Sequence, residues 1–311
     1  MPYRHNPYTT DPSNNHRNGQ DRSDTPNTSS PPAIDPELRD WIIAQAQANV
    51  PAPTLLQAMC DVGWDENVAL DAMDTVLREH LMHTAQQEGL PRATSLPQPA
   101  LQQSQTRIDL GDRTVEVLVS MALPRLVVFA NLLSGEECDA LVEAAATRLA
   151  RSLTVATDTG GEEVNADRTS SGMFFARSEN PLVERIEARI ARLLNWPLDH
   201  GEGLQVLHYP PGAEYKPHYD YFDPAEPGTA TLLRRGGQRV ATLLLYLNTP
   251  QAGGGTVFPE AHMEVTAQRG NAVFFSYERP HSDTRSLHGG APVLAGEKWI
   301  ATKWLRERKF Q

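Results

Sequence analysis

The sequence predicts an α+β protein: a double-layered antiparallel sheet buttressed by helices and preceded by a small three-helix module. Three observations carry that reading. From Leu204 onward, short runs rich in strand-forming residues alternate with Gly/Pro-rich turns. Two helical runs, 135–149 and 181–194, come ahead of them. Residues 35–83 carry helical stripes of their own and lead into a Gln- and Pro-rich stretch.

Taken in order, residues 1–34 are expected to form a disordered tail. Within 1–31 the hydrophobic set supplies only Met1, Tyr3 and Tyr8, too little to offset the entropy of ordering. Asp35 then suits a helix N-cap, with Pro36 at the first helical position. Leu38, Trp41, Ile42 and Ala46 make one apolar face, and Leu55, Leu56 and Met59 mark a second helix. Gly63 breaks that helix, and Asp65 caps a third whose stripe is Val68, Ala69, Ala72, Met73 and Val76. Residues 84–106, with six Gln and three Pro, read as a flexible linker to a domain over 107–311. There the strands are expected at 115–119, 126–129, 204–209, 239–247, 263–266, 272–275 and 298–305.

Charge argues against one function class. The 311 residues hold 28 Lys and Arg against 39 Asp and Glu, a formal charge of −11. Residues 32–104 carry three Arg against ten acids, and the remainder is close to balance. No part has the positive excess that phosphate contact requires, so no nucleic-acid partner is expected. The first residues lack an apolar leader, and no run approaches the ~18 apolar residues of a membrane span. A soluble, cytoplasmic chain with no membrane partner is the expectation. Two cysteines, Cys60 and Cys138, exclude a disulfide framework and a Cys-rich metal site, and both are read as reduced thiols.

The chemistry concentrates around Lys216-Pro217-His218-Tyr219-Asp220. In extended chain His218 and Asp220 project to one face, because side chains alternate with period two. An imidazole beside a carboxylate can occupy two adjacent positions on a metal, and a third ligand completes the facial triad of non-haem Fe(II). The pattern alone is weak, since His281-Ser282-Asp283 and His262-Met263-Glu264 imitate it. His288, however, lies 70 residues beyond His218, room for several strands and a return, and Lys298 follows ten residues later. With only four Lys in the chain against 24 Arg, a cation at that offset stands out as an anchor for a dicarboxylate. The alternative is a lysine that merely ends a surface strand, the reading given to Lys303 and Lys309.

Six segments then resemble, in order, the catalytic domain of the prolyl 4-hydroxylases, over about residues 126–310. They are Arg168 to Met173, Tyr209 to Phe222, Gly236 to Thr242, Gly253 to Pro259, Ser286 to Gly289, and Gly296 through Trp304. The resemblance implies a double-stranded β-helix (jelly roll) and Fe(II)- and 2-oxoglutarate-dependent hydroxylation of a peptidyl proline, with O2 as co-substrate and ascorbate as auxiliary. It assigns His218, Asp220 and His288 as iron ligands and Lys298 as the partner of the distal carboxylate of 2-oxoglutarate. Tyr209 and Thr256 match hydroxyls that help hold the co-substrate, and Arg239 and Trp304 match positions lining the peptide groove. Gly255 departs from the pattern, which has Glu there. Residues 59–77 resemble part of a ubiquitin-associated (UBA-like) module, which implies a protein partner for 35–83; a plain packing or docking bundle stands beside it. Free proline or another small molecule remains an alternative substrate, and a non-catalytic scaffold an alternative role.

Overall fold

Asp35 accepts a hydrogen bond from the Leu38 amide at 2.7 Å and Pro36 opens the first helix, α1 (Pro36–Gln47). α2 (Ala52–Asp61) follows, and Gly63, at φ +100°, makes the turn that a side chain would strain. The Asp65 carboxylate then caps α3 (Glu66–Gln87) through the Asn67 and Val68 amides. Ile42, Leu55, Met59, Ala69, Ala72, Met73 and Val76 are buried together, the larger of them worth ~1.5–3 kcal/mol each. Trp41, expected on this face, is instead exposed, and Ile43 packs in its place. This computed structural model describes residues 34–101, 106–151, 154–155, 162–163 and 169–311. The tail expected before residue 34 and Arg168 of the first motif lie outside them.

The chain divides into two compact units, Met1–His80 and Leu81–Gln311. In the second, β1 (Arg107–Asp109), β2 (Thr114–Met121) and β3 (Arg125–Ala130) lead into α4 (Gly135–Ala146). Short strands β4 (Ala150–Arg151), β5 (Thr154–Val155) and β6 (Glu162–Glu163) precede β7 (Ser171–Phe175) and α5 (Pro181–Leu194). β8 (Leu204–Tyr209), β9 (Tyr215–His218), α6 (Thr229–Leu233) and β10 (Arg239–Tyr246) come next. They are followed by β11 (Ala252–Gly253), β12 (Thr256–Phe258), β13 (Met263–Val265) and β14 (Ala272–Ser276). β15 (His288–Gly290), β16 (Val293–Ala295) and β17 (Lys298–Arg306) close the order.

Two antiparallel sheets form the layers of a jelly roll. The larger runs β1-β2-β3-β14-β10-β17-β8-β7-β4, and the smaller β13-β12-β15-β9. Period-two alternation sorts the side chains of the large sheet. One face, with Val206, Leu243, Leu245, Ala301 and Leu305, packs against Leu141 of α4 and Val183, Ile186 and Ile190 of α5. The other, with Tyr209, Leu244, Tyr246 and Ile300, meets Phe258 of the small sheet. β17 is buried along its whole length because both its faces are covered.

Two expectations are corrected. The stretch read as a flexible linker is not free over residues 91–101. The Thr94 amide donates to the Glu278 carbonyl at 2.7 Å, and the Ala100 amide to the Leu193 carbonyl at 2.8 Å. Arg125 donates to the Pro97 carbonyl and to Gln98 Oε1, while Leu96 and Leu101 pack on the core. Its prolines and glutamines describe an extended strap whose polar groups find partners on the domain. Lys303 does not end a surface strand either: it is 2% exposed and donates to the Glu187 carboxylate and the Glu202 carbonyl oxygen.

Candidate metal centre

The pairing of β9 with β15 decides where the chemistry sits. His218 and His288 are opposed partners across these strands, their ring centroids 4.5 Å apart. The approach needs glycine at 289, where a Cβ would lie 2.9 Å from the Tyr215 carbonyl oxygen and 3.0 Å from the Pro217 nitrogen. Asp220 turns in from the bend after β9, with Oδ1 3.6 Å from His218 Nε2 and Oδ2 3.4 Å from His288 Nε2. One ligand atom from each residue lies within 4.8 Å of the others, and among the described residues no other His, Cys, Asp and Glu group meets that condition.

Both rings are set for ligation. His218 Nδ1 lies 2.9 Å from the Lys216 carbonyl oxygen and His288 Nδ1 3.0 Å from the Ser286 carbonyl oxygen. A carbonyl only accepts, so each Nδ1 carries the proton and each Nε2 lone pair faces the carboxylate. Burial pushes His288 down to about 4, so its ring is neutral near pH 7. Burial works to raise the Asp220 carboxyl, but a protonated His288 in the acid range, together with Arg239, outweighs it and holds the group well below the usual carboxylate range. Two imidazoles and one carboxylate, with no thiolate, fit the non-haem Fe(II) that the sequence motif implies.

The three residues line a cleft together with Tyr209, Thr256 and four residues of β17: Lys298, Ile300, Thr302 and Trp304. Alternation on one strand thus carries Lys298 and Trp304 into the same space as the ligand cluster. Lys298 is 2% exposed, and burial pushes it down to about 8 against the opposing charge of Glu264. Among the described residues its ammonium donates no hydrogen bond, and it stands 5.5 Å over the Tyr209 ring. A buried cation in that position suits a bound carboxylate. Tyr209 is its register partner on β8, and the Thr256 hydroxyl oxygen accepts from the Tyr246 hydroxyl at 2.8 Å.

Seven of the eight residues singled out in sequence therefore line one cleft, and Arg239 does not. It is clamped by Glu202 through two hydrogen bonds, at 2.7 and 3.0 Å, with its guanidinium 4.0 Å from the Trp304 ring and 4.8 Å from that of Phe222. Glu202 also accepts from Arg306 at 2.8 Å, so one buried carboxylate holds two cations. Arg239 thus packs on the Trp304 ring, and it also donates to the Asp220 carbonyl oxygen at 3.4 Å. The imitating pairs stay apart: His281 contacts Asp283 at 3.1 Å in an exposed turn, and His262 sits in a left-handed turn at φ 50°. A Cβ at Gly255 would meet the Glu264 carboxylate, so the neighbouring strand already fills the space of the side chain missing there.

Sequence reasoning missed several groups at this site. Thr242 donates to Asp220 Oδ2 at 2.6 Å, and the Tyr277 hydroxyl lies 3.0 Å from Thr242 Oγ1. Among the described residues, the Thr302 hydroxyl and the Trp304 indole nitrogen are buried without a partner beside the cleft. Period-two counting along 239–246 and 298–306 puts Thr242 and Thr302 on the site face, but Glu202 and Tyr277 lie in connections that no periodicity marks.

The profile of the 2OG-Fe(II) oxygenase superfamily matches residues 204–306. Prolyl 4-hydroxylase 1 of Arabidopsis thaliana is 43% identical over 202 residues, covering 60% of this chain and 70% of that protein. Prolyl 4-hydroxylase 5 of the same plant is 40% identical over 222 residues, covering 65% of this chain and 74% of that protein. A viral collagen prolyl hydroxylase from Paramecium Bursaria Chlorella virus-1, solved with 2OG, aligns at 30% identity and a TM-score of 0.45 over 58% of this chain and 95% of that one. With this degree of identity over most of its relatives' length, and the ligand cluster in place, the chain belongs to the prolyl 4-hydroxylase family of 2OG-Fe(II) oxygenases.

Proposed function

We propose that this protein hydroxylates a prolyl residue of a peptide or protein, using Fe(II), 2-oxoglutarate and O2 and releasing succinate and CO2. One observation carries the reading: a cluster of two histidines and one aspartate shares a cleft with a buried lysine that, among the described residues, makes no hydrogen bond or ion pair. His218, Asp220 and His288 would hold the metal. Bound there, Fe(II) supplies the oxidation of an unreactive C–H bond at the expense of 2-oxoglutarate and O2. Lys298 takes the far carboxylate of 2-oxoglutarate through a charge-assisted hydrogen bond, and the Tyr209 and Thr256 hydroxyls satisfy lone pairs that remain. Leu207, Leu244 and Ile300 give the cleft an apolar floor that limits water around the reacting end. Trp304, braced by Arg239, shapes the side at which a prolyl ring enters. Ascorbate would serve as an auxiliary reductant.

Relatives named as prolyl 4-hydroxylases favour proline as the residue modified, and the acidic helical unit suits recruitment of a protein partner with a basic surface. The test is incubation with proline-containing peptides and with free proline, each with Fe(II), 2-oxoglutarate and ascorbate. One added oxygen on peptidyl proline, matched by succinate, is the expected result. Oxygen added to free proline alone would replace the substrate class, and no product from either would contradict the reading.

A further inference from the structure

Two hydroxyl groups behind Asp220 form a chain with a fixed direction. Asp220 Oδ2 is 2.6 Å from Thr242 Oγ1, which is 3.0 Å from the Tyr277 hydroxyl. All three residues are buried, with exposures of 6%, 0% and 1%. A carboxylate that ligates a metal is ionised and accepts only. Thr242 has one proton and must spend it on Oδ2, so the contact with Tyr277 exists only if the tyrosine donates. The order is Tyr277 to Thr242 to Asp220. The backbone fixes the same geometry, because Thr242 is paired with Phe275 on β14 and the Tyr277 amide donates to the Val240 carbonyl at 3.0 Å. Phe275 and Tyr221 contact the Tyr277 ring and hold its hydroxyl in place.

We propose that Thr242 and Tyr277 are positioning residues that lock the rotation of the Asp220 carboxylate and keep it to ligation through a single oxygen. The inference rests on the metal-site reading above. A carboxylate free to turn can chelate a metal with both oxygens, and doing so would take a position that 2-oxoglutarate and O2 require. A hydrogen bond from Thr242 to Oδ2, the oxygen that also lies 3.4 Å from His288 Nε2, opposes that turn. Thr242 alone would be a hydroxyl with a free rotor; Tyr277, by donating to it, leaves the Thr242 proton only one acceptor.

The test is Co(II) binding to the metal-free full chain, followed by calorimetry and by the visible ligand-field spectrum. Thr242→Val should bind Co(II) roughly ten- to a hundredfold more weakly, the usual effect of losing a partner of a metal ligand. Tyr277→Phe, which removes one oxygen and keeps the ring, should weaken binding in the same direction and alter the ligand-field spectrum. Thr242→Ser keeps the donor and should restore both readouts. Wild-type affinity and spectrum in Tyr277→Phe would overturn the inference, even if Thr242→Val failed to fold. His218→Ala binding Co(II) as tightly as wild type would instead sink the metal-site reading itself.

Discussion

His218 and His288, 70 residues apart in sequence, face one another as paired residues of β9 and β15. The pair exists because Gly289 lets the β9 backbone approach to 2.9 Å from where a Cβ would stand. Gly289→Ala should push the strands apart, costing ~1–3 kcal/mol of stability as over-packing does. Urea denaturation reads the stability, and Co(II) affinity, expected to fall as well, reads the separation of the rings. A variant with wild-type values in both would mean that the approach is not tight.

Lys298 is the group on which co-substrate affinity should depend. Lys298→Ala should raise the KM for 2-oxoglutarate roughly ten- to a hundredfold, from loss of a charged hydrogen bond of ~1.5–3 kcal/mol. In the free protein burial lowers this amine to about 8, and only the protonated form attracts a dianion. The KM for 2-oxoglutarate should therefore be flat below that value and climb as pH rises through it. Steady-state kinetics from pH 6.5 to 9.5 check the limb; an unchanged KM in Lys298→Ala would show that the anchor lies elsewhere.

Glu202 holds Arg239 and Arg306 at once from a buried position. Glu202→Gln leaves two guanidinium groups short of their counter-charge and should cost ~3–5 kcal/mol, as breaking a buried ion pair does. The sign with pH follows from the same pairing. Burial works to raise this carboxyl, but the two arginines outweigh it and lower it below its ordinary value. The stabilisation is thus present above the unfolded carboxylate range and lost as pH falls through the lower folded value. Acid denaturation of wild type and Glu202→Gln should converge at low pH.

The strap over residues 91–101 separates two truncations. Removing residues 1–88 leaves the contacts of Thr94, Leu96, Pro97 and Ala100 in place, whereas removing 1–104 strips them from the core and from Arg125. Only the second should lower the thermal unfolding temperature of the catalytic unit. Equal unfolding temperatures would make the strap a passive tether.

Much of the fold was legible because its elements obey simple periods. Strand 204–209 and helix 181–194 appear in the structure at those bounds, each marked by alternation or by Pro181 at a helix start. The ligand trio was legible through a motif that gives residue types at a spacing. What escaped depends on partners distant in sequence. The strap looked flexible because nothing local in a Gln- and Pro-rich stretch announces Arg125 as its donor or the Leu193 carbonyl as its acceptor. The ion pair of Arg239 escaped because Glu202, 37 positions earlier, bears no mark of its role. Lys303 looked like a surface end because its carboxylate partner, Glu187, belongs to α5.

The most direct measurement is anaerobic addition of Fe(II) and then 2-oxoglutarate to the metal-free protein, followed in the visible spectrum. A metal-to-ligand charge-transfer band should appear and saturate at one equivalent of Fe(II) per chain. It should be absent in His218→Ala and should need far more 2-oxoglutarate in Lys298→Ala. No band in the wild-type protein, or an equal band in His218→Ala, would contradict it.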